Sequence, residues 1–206
     1  MSTIRTDSEP AAGQHSRGFG IYVAFVPWVL FTFVGERSTL VVGALVAFAV
    51  AVIIAFPATR AHHPKALEIG AVVAFAGFSV VAIIADHSTT TFMARYARAI
   101  AAGLLALIGL TSLLIKAPFT EQYARESVPR EFWSSPRFKE HNRRLTLMWT
   151  AVFLLMIPSH IAAGVIDTHR ANTIFNWVIP IGLIVLAAKR TEAAGEESGH
   201  ALRVSS

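Results

Sequence analysis

The chain has 206 residues, of which 54% are hydrophobic, and its formal net charge at pH 7 is +5. It contains no cysteine, which excludes disulfide bonds, thiolate catalysis and cysteine metal sites. The basic residues fall between long apolar runs, where they act as determinants of membrane topology with anionic lipid head groups as counter-ions. The positive charge therefore gives no reason to expect nucleic acid as a partner.

Six apolar runs occupy most of the chain. Runs of about 15 to 22 residues reach roughly 22 to 33 Å as helices, against a hydrocarbon core of about 30 Å. They lack the alternation of barrel strands, and lipid cannot satisfy an exposed backbone, so we predict helices. The fold class is an all-α polytopic membrane protein, a six-helix transmembrane bundle with one long cytoplasmic amphipathic loop. The predicted spans are 19–34, 40–56, 67–85, 97–115, 145–166 and 174–188, of which the first and last are short.

The ends of the chain are polar. We expect residues 1–17 and 191–206 to be disordered cytoplasmic tails, flanking a transmembrane domain over 18–190. A cleaved signal peptide is the alternative interpretation of the first run. However, the polar leader is long, and the run ends in Phe31, Thr32, Phe33 and Val34 without a small-x-small cleavage pattern, so we favour a retained span.

The Lys and Arg residues between the runs predict the orientation. With the N-terminus inside, 14 of the 18 basic residues lie in inner segments, which is the bias expected of cytoplasmic loops. The outer side keeps only Arg37, Arg95, Arg98 and Arg170. The sequence therefore predicts a multi-pass protein of the inner (plasma) membrane with both termini in the cytoplasm.

The inner loop over 116–144 is too long for a plain connector. Thr120 is suited to cap a short helix that ends before Pro129, and Ser135 followed by Pro136 is a good start for a second helix that continues into the fifth span. Aromatic residues lie among basic and acidic residues here, so we expect the loop to lie along the membrane interface. As a docking platform for a partner protein or lipid it would use Tyr123, Arg125, Glu126, Trp133, Asn142 and Arg143. The alternative is a topogenic basic loop with ordinary aromatic belt residues.

Polar groups inside the spans are the candidates for transport chemistry, because ionisable groups at depth are often functional. His160 and Asn176 lie in the outer halves of the fifth and sixth spans, and we predict that they pair. Pro27, Pro158 and Pro180 interrupt three spans; they either bend the helices or line a substrate pathway. Glu68 and Arg98 lie near span edges, where snorkelling to the interface gives them a structural role.

The sequence predicts no catalytic, metal or cofactor site. Ser159 and His160 have no acidic partner in their span, so a hydrolase triad is not supported. His62 and His63 lie on the same predicted side as His141, but their spacing matches no metalloenzyme pattern. Small residues at helical spacing, in the pairs Gly70 with Ala74 and Ala102 with Ala106, permit close helix approach, and homo-oligomerisation is one use of such faces.

The chain resembles the bacterial intracellular septation protein A family of small inner-membrane proteins. The residues that carry the resemblance are Val26, Pro27 and Trp28 in the first span, Lys116 and Pro118 after the fourth, and Pro129, Trp133, Asn142, Leu145, Trp149 and Phe153 leading into the fifth. The spacing from Trp133 to Trp149 is longer here than in the family pattern. The resemblance implies a non-enzymatic envelope protein associated with division or wall-synthesis proteins, with the loop as its contact surface. A small-molecule transporter or lipid-handling protein is the alternative function.

Overall fold

The computed structural model describes residues 19–60 and 65–204, and no strand occurs among them. The helices are α1 (Phe19–Arg37), α2 (Leu40–Arg60), α3 (Ala66–Ile84), α4 (His87–Leu114), α5 (Phe119–Ala124), α6 (Pro136–Ile166), α7 (His169–Thr173) and α8 (Ile179–Val204). A 3-10 turn over Arg130–Phe132 lies in the long loop, and a π-helical turn over Ile174–Val178 joins α7 to α8. The all-α prediction is confirmed.

Within the described residues, six helical stretches are long and apolar enough to cross a membrane: α1 to α4, α6, and the run from α7 into α8. Much of their apolar surface faces outward; Ile84 and Leu114, for example, are 76% and 81% exposed. A water-soluble monomer rarely exposes apolar patches on this scale, so lipid is the solvent that suits this surface. The protein is a multi-pass membrane protein.

α4 and α8 extend the furthest beyond the ends that were expected for them. α4 begins at His87 rather than residue 97, because the Asp86 side chain caps it by accepting from the Thr89 N–H; the threonines that follow lower the hydropathy without preventing a helix. α8 continues to Val204, whereas the sequence predicted a disordered tail from Thr191. That segment is rich in alanine and glutamate, which favour helix.

Aromatic rings fill the core where α1 meets α3 and α6. Trp28 and Phe31 pack on Phe75, with ring centroids 4.8 and 5.3 Å away. Phe25 stacks on Trp149 at 5.9 Å. Because these pairs join helices distant in sequence, they fix how α1 sits against the rest of the bundle.

Small residues let α4 approach its neighbours closely. A Cβ added at Gly109 would lie 2.2 Å from Thr150 Oγ1 of α6, and one at Gly70 would lie 2.3 Å from Ile108 Cδ1 of α4. Ala102 and Ala106 are also buried. The small faces that the sequence offered for self-association are thus occupied inside the chain.

The connections alternate between the two ends of the bundle. We call the end that carries α5 and the start of α6 the loop end, and the other the far end. At the loop end, α4 closes in a Schellman motif, in which Lys116 takes a left-handed conformation with φ 57° and donates to Leu113 O while Ala117 N–H donates to Ser112 O. This turn directs the chain into α5.

Candidate functional site

The loop end is anchored by α5, which is tucked against the bundle. Phe119 is fully buried, and its N–H donates to Ser112 Oγ of α4 at 3.2 Å. Pro118, not Thr120, occupies the cap position. Thr120 is instead buried and donates through Oγ1 to the Asn142 carbonyl of α6 at 2.8 Å. The loop is therefore held by hydrogen bonds to two transmembrane helices.

Lys65 joins α3 to the loop. Its Nζ lies 2.7 Å from Glu126 Oε1, 3.4 Å from Glu68 Oε1, and 4.5 Å from the centroid of the Tyr123 ring. The side chain of Gln122 accepts from the Ala66 N–H at 2.7 Å and so satisfies a donor at the start of α3. These contacts hold α5 against α3.

Tyr123 is buried among charged groups. Burial, with Glu68 and Glu126 nearby, raises the pKa of its hydroxyl well above the usual range. Its hydroxyl and Glu68 Oε2 are buried and have no hydrogen-bond partner among the described residues. Glu68 was expected to snorkel at the span edge, but it is buried and paired with Lys65.

The exposed part of the loop is organised around Trp133. The guanidinium carbons of Arg125 and Arg130 lie 5.1 and 5.6 Å from the centroid of its ring. Its Nε1 donates to the Val128 carbonyl at 2.8 Å. Arg125 also pairs with the buried Glu121. Cation–π contacts of this kind hold the indole and both arginines in one arrangement.

The six residues predicted as contacts separate into two groups. Arg125, Glu126 and Arg143 are exposed, and Trp133 is half-buried. Tyr123 and Asn142 are buried inside the chain, so they do not form part of a contact surface in this structure. Asn142 instead donates to the Phe138 carbonyl and receives Thr120 at its own carbonyl.

At the far end, the predicted pair forms. His160 Nδ1 lies 2.7 Å from Asn176 Oδ1, and His160 is buried. The neighbouring Ser159 donates to the Phe175 carbonyl at 2.7 Å. In a π turn that carbonyl would accept from residue 180, but Pro180 has no N–H. Ser159 therefore has a structural role here, as partner of a carbonyl that proline leaves free.

The pair belongs to a longer polar network. Asn176 Nδ2 donates to Asn172 Oδ1 at 2.7 Å, and Asn172 Nδ2 donates to Glu36 Oε1 at 3.2 Å. Glu36 Oε2 also pairs with Arg98 Nη2 at 3.0 Å. All these donors lead to the Glu36 carboxylate, so the network joins α1, α4, α6, α7 and the π turn.

Arg98 is embedded rather than snorkelling. Only 18% of its side chain is exposed, its guanidinium lies 5.3 Å from the centroid of Trp177, and its Nε is buried with no partner among the described residues. From the sequence we predicted a structural role for Arg98 at the span edge and no role for Glu36 or Asn172. Only the folded chain brings these residues together.

A second ion pair lies close by. Arg95 Nη2 of α4 pairs with Asp167 Oδ2 at 2.7 Å, and Asp167 ends α6 in the left-handed region with φ 51°, which aspartate tolerates better than most residues. The two ion pairs line a cleft of about 380 Å³. Gly164 lies in its wall, where an added Cβ would come 2.6 Å from Tyr96 Cε1. None of the interrupting prolines is among the described lining residues, and Pro158 is exposed.

The candidate metal ligands have no support within the described part of the chain. No group of three His, Asp or Glu side chains there is arranged to hold a metal ion. His62 and His63 lie outside the described residues.

The fold and these two sites define a six-helix membrane protein with an anchored basic loop at one end and a polar cleft at the other. Searches of family models, curated proteins and solved structures found no match to this chain. The resemblance to the septation family therefore stays a prediction.

Proposed function

We propose that this chain is a non-enzymatic protein of the inner cell membrane that acts as a scaffold, linked to septation or wall synthesis, and contacts other membrane proteins through its loop end. The observation that supports this function most directly is the contact of both Arg125 and Arg130 with the Trp133 ring. A surface that is already ordered loses little entropy on binding, which favours recognition of a partner.

The charge of the loop end indicates the chemistry of that partner. Arg130, Arg137, Lys139, Arg143 and Arg144 are all exposed. Glu140 is the carboxylate that pairs with Arg143 and Arg144, at 3.6 and 2.8 Å. The excess of cations favours an acidic segment of a neighbouring membrane protein, because complementary charge directs association. With basic loops retained inside, both termini and this surface face the cytoplasm.

Site-specific photo-crosslinking in native membranes tests the scaffold. A benzoylphenylalanine at Trp133 should capture a defined division or wall-synthesis protein, and the same probe at Phe92, an exposed position on the far part of α4, should not. Replacing Arg137 and Lys139 by Gln should weaken the capture. Capture of lipid alone at Trp133, or the same proteins at both positions, would refute the scaffold.

The second candidate is a small-molecule transporter or lipid-handling protein. It is favoured by one observation, the network that leads from His160 and Asn176 to the Glu36–Arg98 ion pair. Ionisable groups buried within a transmembrane bundle, as His160 and Arg98 are, are expensive and tend to be kept for function. Reconstituted protein that moves no solute or lipid across vesicles would exclude this candidate while leaving the scaffold intact.

A further inference from the structure

The charges of the far-end cleft balance. Its walls carry two guanidiniums, Arg95 and Arg98, and two carboxylates, Glu36 and Asp167. Each arginine is paired with one carboxylate. These four side chains therefore contribute no net charge to the lining.

Both ion pairs leave hydrogen-bonding capacity unused. A guanidinium has five N–H donors. Arg95 donates from Nη2 to Asp167 Oδ2, and Nη2 of Arg98 lies 3.0 Å from Glu36 Oε2. The Nε of Arg98 is buried without a partner among the described residues. On the acidic side, 65% of the Asp167 side chain is exposed, so its carboxylate is open to a further donor.

A balanced cleft selects against ligands with one net charge. A lone anion or cation would leave a charge uncompensated beside the largely buried Arg98 and Glu36, and such a charge is destabilising. A ligand that carries both signs brings its own compensation. Its anionic oxygens would face Arg95 and Arg98, and its ammonium group would face Asp167 and Glu36.

We propose that this cleft binds a small zwitterion that combines a carboxylate or phosphate with a primary ammonium group. The cleft volume of about 380 Å³ lies in the range of small-molecule sites, and Phe31, Ala97 and Ala163 provide apolar wall for a short aliphatic part. A free amino acid and the head group of phosphatidylethanolamine share this chemistry. The inference rests on the second candidate function for its location, but it requires binding and not transport.

Equilibrium binding to the full chain tests the proposal. In nanodiscs of phosphatidylglycerol alone, isothermal titration with glycine and with phosphoethanolamine should give saturable binding. Acetate, inorganic phosphate and ethylammonium at matched ionic strength should bind at least about tenfold more weakly, since each lacks one of the two charges. In nanodiscs that also contain phosphatidylethanolamine, native mass spectrometry should find that lipid retained if the ligand is a head group.

A matched pair of variants assigns the binding to the cleft. Arg95→Gln removes a half-exposed wall residue and should lower affinity, or lipid retention, about tenfold. Arg170→Gln removes an exposed arginine of α7 outside the cleft lining and should change neither. Circular dichroism and gel filtration confirm that both variants are folded.

Each outcome decides the proposal. Binding of a soluble zwitterion identifies a solute site, and retention of phosphatidylethanolamine alone identifies a head-group site. The proposal is overturned if single-charge probes bind equally well, if Arg95→Gln and Arg170→Gln behave alike, or if no zwitterion binds in either nanodisc. Binding without flux would refute the transporter candidate only, and crosslinking at the loop end is independent of both.

Discussion

Breaking the Glu36–Arg98 ion pair should destabilise the protein far more than breaking a surface pair. The atoms are 3.0 Å apart, and the two side chains are only 33% and 18% exposed. Two unit charges about 4 Å apart attract by roughly 4 kcal/mol at an effective dielectric constant of about 20. Desolvation offsets part of this attraction while the pair is intact, but a single substitution leaves the other charge buried and unpaired. We therefore expect Arg98→Gln and Glu36→Gln each to lower the free energy of unfolding by about 3 kcal/mol.

The double variant separates the interaction energy of the Glu36–Arg98 pair from the energies of the other contacts that the two side chains make. Because it leaves no unpaired charge, it should cost no more than either single substitution, about 3 kcal/mol, which corresponds to a coupling energy of about 3 kcal/mol. Reversible unfolding in mixed micelles of dodecyl maltoside and sodium dodecyl sulfate, followed by tryptophan fluorescence, measures all four corners of the cycle. The control cycle is Glu140 with Arg144, a pair at 2.8 Å whose side chains are 45% and 77% exposed, where the coupling should be close to zero. Equal coupling in the two cycles would refute the reasoning.

Three further predictions concern residues that stabilise the helices of the bundle. Gly109→Ala should lower the free energy of unfolding by about 1 to 3 kcal/mol because its Cβ would collide with α6, whereas Gly77→Ala, with nothing within 4 Å, should not destabilise in the same micelle assay. Ser159→Ala should cost about 1 to 3 kcal/mol by leaving the Phe175 carbonyl unpaired, measured as a shift in the unfolding midpoint; no shift would mean that another donor replaces the hydroxyl. Hydrogen bonds lower the pKa of Asp86 from 3.8 to about 2, so its stabilising contribution is complete above pH 3.8 and is lost as the pH falls toward 2. Unfolding measured against pH should show that loss in the parent chain and not in Asp86→Ala.

Hydropathy predicted the architecture because lipid cannot hydrogen-bond the backbone, so every long apolar run that crosses a membrane must form a helix or a closed barrel. It misplaced the start of α4, since the polar turn after Asp86 is helical although it is not apolar. The hypothesis that His160 pairs with Asn176 came instead from their position in the outer halves of the fifth and sixth spans, and the two side chains are in contact. Residues 160 and 176 flank a short connection, so two antiparallel helices bring them to the same level.

Other parts of the candidate sites were beyond the sequence. Glu36 and Asn172 are 136 positions apart, and no local pattern indicates which helices pack together. In the loop, Tyr123 and Asn142 are residue types that often contact a partner at a surface. In the folded chain, however, α5 packs against the bundle and both side chains are buried. Whether an amphipathic residue faces the bundle or the interface is decided by tertiary packing, which a single sequence does not reveal.

The π turn over Ile174–Val178 lies next to Pro180 and contains part of the far-end network. One extra residue in a helical turn rotates everything that follows by about 100°. Asn172 precedes the turn and bonds to Glu36, and Asn176 lies within the turn and bonds to His160. Beyond the turn, Thr191 of α8 makes a second polar contact with α6: its Oγ1 accepts from Trp149 Nε1 at 3.2 Å. The widened turn therefore allows one continuous helical stretch to satisfy polar partners at both ends of the bundle, and a helix without it would have to give up one of them.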